Sequence, residues 1–91
     1  MLERRIRGAI LHTLHNTGEI SAGYLKALLI YEGIVFESVR ELIRILQWLA
    51  DRGYVKFDRP FSALQGDIRV DITPRGRALV EGQIPDKDVE V

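Results

Sequence analysis

With 91 residues the chain is shorter than the usual domain of about 100–150 residues, and it has room for one hydrophobic core. A hydrophobic share of 46% with 29% charged residues excludes a disordered composition, and the absence of cysteine excludes a disulfide framework and any thiolate metal site. Thirteen basic against thirteen acidic side chains give a formal net charge of zero, so any electrostatic reading has to rest on where the charges lie.

Leu2, Ile6, Ala9, Ile10, Thr13 and Leu14 recur at helical spacing. Arg4, Arg5, Arg7, His12 and His15 fall off that stripe, which predicts an amphipathic first helix over 2–16 closed by Asn16-Thr17-Gly18. Glu19-Ile20 leaves room only for a bridge or a minimal strand. Ser21 is a good N-cap, because its hydroxyl can accept from an unpaired amide of the next helical turn. A second helix follows over 22–32 with Leu25, Leu28 and Leu29 inward, and Gly33 stops it. Ile34-Val35-Phe36 makes an apolar connector to a third helix, capped by Ser38 or Glu37 and running to about Arg52.

The third helix carries the clearest pattern. Val39, Leu42, Ile43, Leu46, Leu49 and Ala50 line one side, and Arg40, Arg44, Gln47 and Asp51 line the other. Gly53 ends it, and the period then falls to two. Tyr54 to Asp58 and Asp67 to Ile72 read as strands, the second with Ile68, Val70 and Ile72 alternating with charged residues. Residues 59–66 form the loop between them. Thr73-Pro74 starts a fourth helix over 74–81, since threonine caps well and proline suits the first helical position. The remaining 83–91 segment has little to bury. It reads as an acidic, flexible tail following a domain at 1–82. Asp86, Asp88 and Glu90 against Lys87 leave the rest of the chain with a surplus of two positive charges.

This order of elements resembles a winged helix, a three-helix bundle with a two-stranded β wing and a short C-terminal helix, an α+β fold that is mainly α. Leu46-Gln47-Trp48-Leu49-Ala50-Asp51-Arg52-Gly53-Tyr54-Val55 is similar to the passage from recognition helix to wing. Asp71-Ile72-Thr73-Pro74-Arg75-Gly76-Arg77-Ala78-Leu79 resembles the segment leading from wing to final helix in the MarR, ArsR and PadR groups of bacterial regulators. The connector 31–38 is longer and more apolar than theirs.

The resemblance implies sequence-specific binding of double-stranded DNA, with helix 38–52 in the major groove. Ser38, Arg40, Glu41, Arg44 and Gln47 would then face base edges and phosphates, arginine suiting guanine and glutamine suiting adenine. Lys56, Arg59 and Arg69 of the wing, with Ser21 and Lys26 of the second helix, would reach the backbone. The bland reading of the same pattern is a solvated helix face. Tyr24, Tyr31, Phe36, Phe61 and Trp48 lack the spacing of a single-strand stacking platform.

Leu11, Ile30, Ile45 and Trp48 lie off the main stripes. Such surplus apolar surface predicts a homodimer through the first helix and the terminal segments, suited to a palindromic site as a small transcriptional regulator. The alternative is that these side chains pack within a monomer. A histidine pair at His12 and His15 with Glu19 is a weak metal motif, and no nucleophile–histidine pair or glycine-rich phosphate loop is present, so neither catalysis nor a cofactor or metal is expected. No run approaches the roughly 18–20 apolar residues of a membrane span, and the N-terminus lacks a signal-peptide pattern. The expected location is cytoplasmic. No small-molecule effector can be read from the sequence. The alternative function on the same fold is a protein-protein interaction adaptor that does not bind DNA.

Overall fold

Apolar residues at intervals of three and four build four helices in the computed structural model, which describes residues 3–58 and 68–91. In chain order the elements are α1 (Glu3–Thr17), β1 (Ile20–Ser21), α2 (Ala22–Tyr31), α3 (Val39–Asp51), β2 (Val55–Phe57), β3 (Arg69–Ile72) and α4 (Pro74–Val80). The architecture is α+β and mainly helical. Arg59, Phe61 and the loop 59–66 lie outside the described residues.

The capping chemistry operates at two of the three expected sites. Ser21 Oγ accepts from the Tyr24 amide at 3.1 Å, and Thr73 Oγ1 accepts from the Gly76 amide at 3.1 Å. Ser38 is extended at the start of α3 but makes no side-chain cap. Glu41 supports that turn instead, its Oε2 accepting from the Glu37 amide at 3.2 Å. The long connector is anchored by alternation, because Ile34 and Phe36 pack against the core while Val35 points away.

Among the described residues the sheet has three strands, the two read for the wing and one at the position where the sequence left room for a bridge or a minimal strand. Its order is β1-β3-β2, all antiparallel, with Ile20 opposite Val70, Val55 opposite Ile72 and Phe57 opposite Val70. The minimal segment at Ile20–Ser21 thus completes the second edge of β3. Ile68, Val70 and Ile72 are all buried and Arg69 is exposed, as the period-two pattern requires. The core joins Ile10, Leu11 and Leu14 of α1, Leu25 and Leu29 of α2, Leu42, Ile45, Leu46 and Leu49 of α3, the inner face of the sheet and Leu79.

The two passages that carry the family resemblance meet in space. Thr73 donates through its amide to the Tyr54 carbonyl at 3.0 Å and through its hydroxyl to the Gly53 carbonyl at 2.5 Å. A Cβ on Gly76 would stand 2.3 Å from the Tyr54 oxygen, so only glycine lets the first turn of α4 approach the end of α3 this closely.

The segment 83–91, expected as a flexible acidic tail, folds back on α1. Val89 is buried, and the Glu90 amide donates to the Arg4 carbonyl at 3.0 Å. Gly8 makes this possible, since its bare Cα leaves space for the Glu90 carbonyl.

Leu11 and Ile45 are also fully buried within the chain, and Trp48 is half-buried against the core. The apolar surplus on which a dimer through α1 and the termini was expected is therefore mostly consumed internally. Of that group only Ile30 stays exposed. No helix is long and apolar enough to cross a membrane among the described residues.

Candidate nucleic-acid interface

The outer face of α3 is open along its length. Arg40, Arg44, Gln47 and Asp51 are all exposed on it, at intervals of three and four, opposite buried Leu42, Ile45, Leu46 and Leu49. Ser38 stands exposed at the N-terminal end with its hydroxyl unused for capping. Arg40 engages no carboxylate among the described residues. Glu41 is half-buried and committed to the Glu37 amide, so it belongs to the scaffold of this turn rather than to its outer surface.

Two members of the face are held by neighbours. Arg44 presents a fork to Glu3 at the start of α1, with Nη2 donating to Oε1 at 2.8 Å and Nη1 to Oε2 at 3.4 Å. Glu3 also accepts from Arg7 at 2.5 Å. The Arg44 hydrogen bond leads in holding the Glu3 carboxyl below its ordinary value; partial burial opposes it and Arg7 reinforces it. The same hydrogen bond raises the Arg44 guanidinium. Gln47 donates from Nε2 to Asp51 Oδ1 at 2.9 Å. Both interactions are exposed, and exchanging either for a nucleic-acid contact costs little, because an exposed ion pair contributes only about 0.2–1 kcal/mol and an exposed side-chain hydrogen bond only about 0.5–1.5 kcal/mol.

The other candidates lie on separate elements. Ser21 and Arg69 face each other across β1 and β3. The Ser21 hydroxyl is spent on the α2 cap, and Arg69 donates from Nη2 to the Glu19 carbonyl at 3.2 Å with Nε 3.8 Å from Glu19 Oε1. Lys26 is half-buried on α2, Lys56 is exposed on β2 in register with Asp71, and Arg59 lies outside the described residues. The structure therefore gathers Arg40, Arg44 and Gln47 on one helix face, with Ser38 exposed at the N-terminal end of the helix, and leaves the remaining candidates around it.

One cluster escaped the sequence reading. Arg7 lies 3.6 Å and Arg52 4.3 Å over the Trp48 ring. The docked C-terminal segment then closes over both arginines. Arg7 Nη1 donates to the Asp88 carbonyl at 3.0 Å, and Arg52 pairs with Asp86 at 3.2 Å and with Asp88 at 3.1 Å. The Tyr54 hydroxyl donates to Asp86 as well. Burial tends to raise the Asp86 carboxyl, but Tyr54, the Asp88 amide and Arg52 together hold it below its ordinary value. Burial, then Asp86, pushes the Tyr54 hydroxyl up. The sequence signal for this cluster was Gly8, a glycine inside a helical pattern, which marks a close approach of backbone.

His15 bonds Glu81 at 3.0 Å rather than Glu19, and no group of three potential metal ligands forms among the described residues. No protein-family model, curated protein or solved structure matches the chain.

Proposed function

We propose that this domain is a winged helix that binds double-stranded DNA in a sequence-specific manner, with α3 in the major groove, as a transcriptional regulator of the cell interior. One observation carries the reading. The face of α3 that bears Arg40, Arg44 and Gln47 is exposed, so three long polar side chains stand on successive turns of a helix whose other side is buried in the core, with the uncapped Ser38 hydroxyl exposed at its N-terminal end. Arginine and glutamine are the side chains that make paired hydrogen bonds to guanine and adenine edges, each worth about 1–3 kcal/mol of discrimination. The order of helices and strands supports the same reading, with β2 and β3 following α3 as a wing that can lie beside the groove. Lys56 and Arg69 on those strands would contact phosphates and set register.

The test is duplex binding at low and moderate salt for the wild-type chain and for Arg40→Ala/Arg44→Ala. Wild type binds with an affinity that falls steeply with salt, and the double variant loses about tenfold or more with a shallower salt slope. A wild-type chain that ignores duplex DNA, or a variant that binds as tightly, defeats the proposal. A second reading, an adaptor that binds protein and not DNA, is favoured by the zero net charge and by the uncharged outer side of α2. Loss of all salt-sensitive duplex binding would select it.

A further inference from the structure

Surface helices normally turn charge toward water, and α2 does not. Its inner side is Ala22, Leu25 and Leu29. Its outer side is Gly23, Tyr24, Ala27, Ile30 and Tyr31, all exposed and without a single Asp, Glu, Lys or Arg. Tyr24 is 56%, Ile30 51% and Tyr31 91% exposed, and Val35 of the following turn is 83% exposed. Holding this much aromatic and branched apolar surface in water is unfavourable by roughly 25 cal/mol per Å².

We infer that the outer face of α2 is the contact between two copies of this chain. Three observations favour a second copy as the occupant. The first is charge: a two-fold interface places each patch against itself, and an uncharged patch does so without bringing like charges together. The second is shape. Tyr31 projects from the end of α2, and the turn immediately after it borders a groove of about 710 Å³ whose lining mixes apolar Ile6, Ala9, Ile34 and Val35 with Glu32 and with the Arg5–Glu90 ion pair. A projecting tyrosine beside such a groove is self-complementary under a two-fold axis, since the Tyr31 ring of each copy can pack on the apolar part of the other's groove while its hydroxyl meets the polar groups there. The third is area. The exposed parts of Tyr24, Ile30, Tyr31 and Val35 amount to roughly 500 Å² per copy, so pairing buries about 1,000 Å², the lower limit for a specific association. Gly23 and Ala27 sit among the larger side chains and allow the two helices to come close.

This interface uses neither α3 nor the strands, and it stands whether or not α3 meets a duplex. Sedimentation equilibrium of the full chain tests it. The wild-type mass rises with concentration toward twice 10.4 kDa. Tyr31→Glu and Ala27→Glu each weaken association by at least about thirtyfold, the effect of placing a charge at an interface centre. Circular dichroism confirms that both variants keep the wild-type helicity and a cooperative melt; both positions are exposed, and Tyr24→Lys replaces any variant that does not. A wild-type chain that stays monomeric up to about millimolar concentration, or variants that dimerise as strongly as wild type, overturns the inference.

Discussion

Replacing Gly8 by alanine separates a docked C-terminal segment from a free one by the sign of its effect. In an ordinary helix interior the change stabilises by about 1 kcal/mol, because alanine loses less conformational freedom than glycine. Here the added methyl carbon would lie 1.8 Å from the Glu90 carbonyl oxygen and 2.6 Å from its carbon. Both atoms are backbone, so no flexible side chain can swing aside, and the segment around Val89 must lift from α1. Exposing Val89 forfeits up to about 1.5–3 kcal/mol, and the Glu90 to Arg4 hydrogen bond about 0.5–1.5 kcal/mol more. Regained chain freedom and better helix propensity offset part of this, leaving a net loss of about 1–2 kcal/mol. For a domain of this size Tm then falls by roughly 5–15 °C. In a chain ending at residue 83 the same substitution should raise Tm by about 4–8 °C, and the difference between the two backgrounds is the coupling between Gly8 and the segment. Calorimetric melts of the four proteins provide the comparison. A higher Tm for Gly8→Ala in the full chain would refute the close approach.

Acid should release the same segment. The Asp86 carboxyl is held below its ordinary value, against its own burial, by Tyr54, the Asp88 amide and Arg52; such a group stabilises the fold above its unfolded pKa, and the contribution is lost as pH falls below about 4. Melts from about pH 6 down to about pH 2.5 should show a drop in wild type that is smaller in Asp86→Asn, and equal drops would show that the Asp86 carboxylate does not hold the segment. Glu3→Gln should act on binding instead, by freeing the Arg44 guanidinium from its carboxylate. Duplex affinity at low salt should rise about two- to fivefold, the worth of an exposed ion pair, and a fall in affinity would show that Glu3 orders α3 rather than restraining Arg44.

Local chemistry made the backbone of this fold readable. The Ser21 and Thr73 caps, the stripes of α1 and α3, and the alternation of Ile68, Val70 and Ile72 each express a rule that operates within a few residues. Leu11, Ile45 and Trp48 were misread because a single stripe was assigned to each helix, whereas these helices are covered on more than one side. The 83–91 segment was misread for a different reason. Its composition is that of a solvated tail, and what fixes it is one buried valine, backbone carbonyls and two aspartates meeting Arg7, Arg52 and Tyr54 more than thirty residues away in sequence. The pairing of Arg44 with Glu3 was equally invisible, because nothing within a helical turn of either residue announces it. The outward face of α3, by contrast, was legible from spacing alone, since four polar residues opposite four buried ones admit only one orientation.

In the proposed function α3 meets duplex DNA through its exposed side. Amide chemical-shift mapping of the labelled chain, titrated with a mixed-sequence duplex at low salt, tests it most directly. Perturbations are expected to begin at Ser38 and follow Arg40, Arg44 and Gln47, with weaker ones at Lys56 and Arg69. Perturbations confined to α2 and the C-terminal segment, or none at a duplex concentration that saturates non-specific sites, would contradict it.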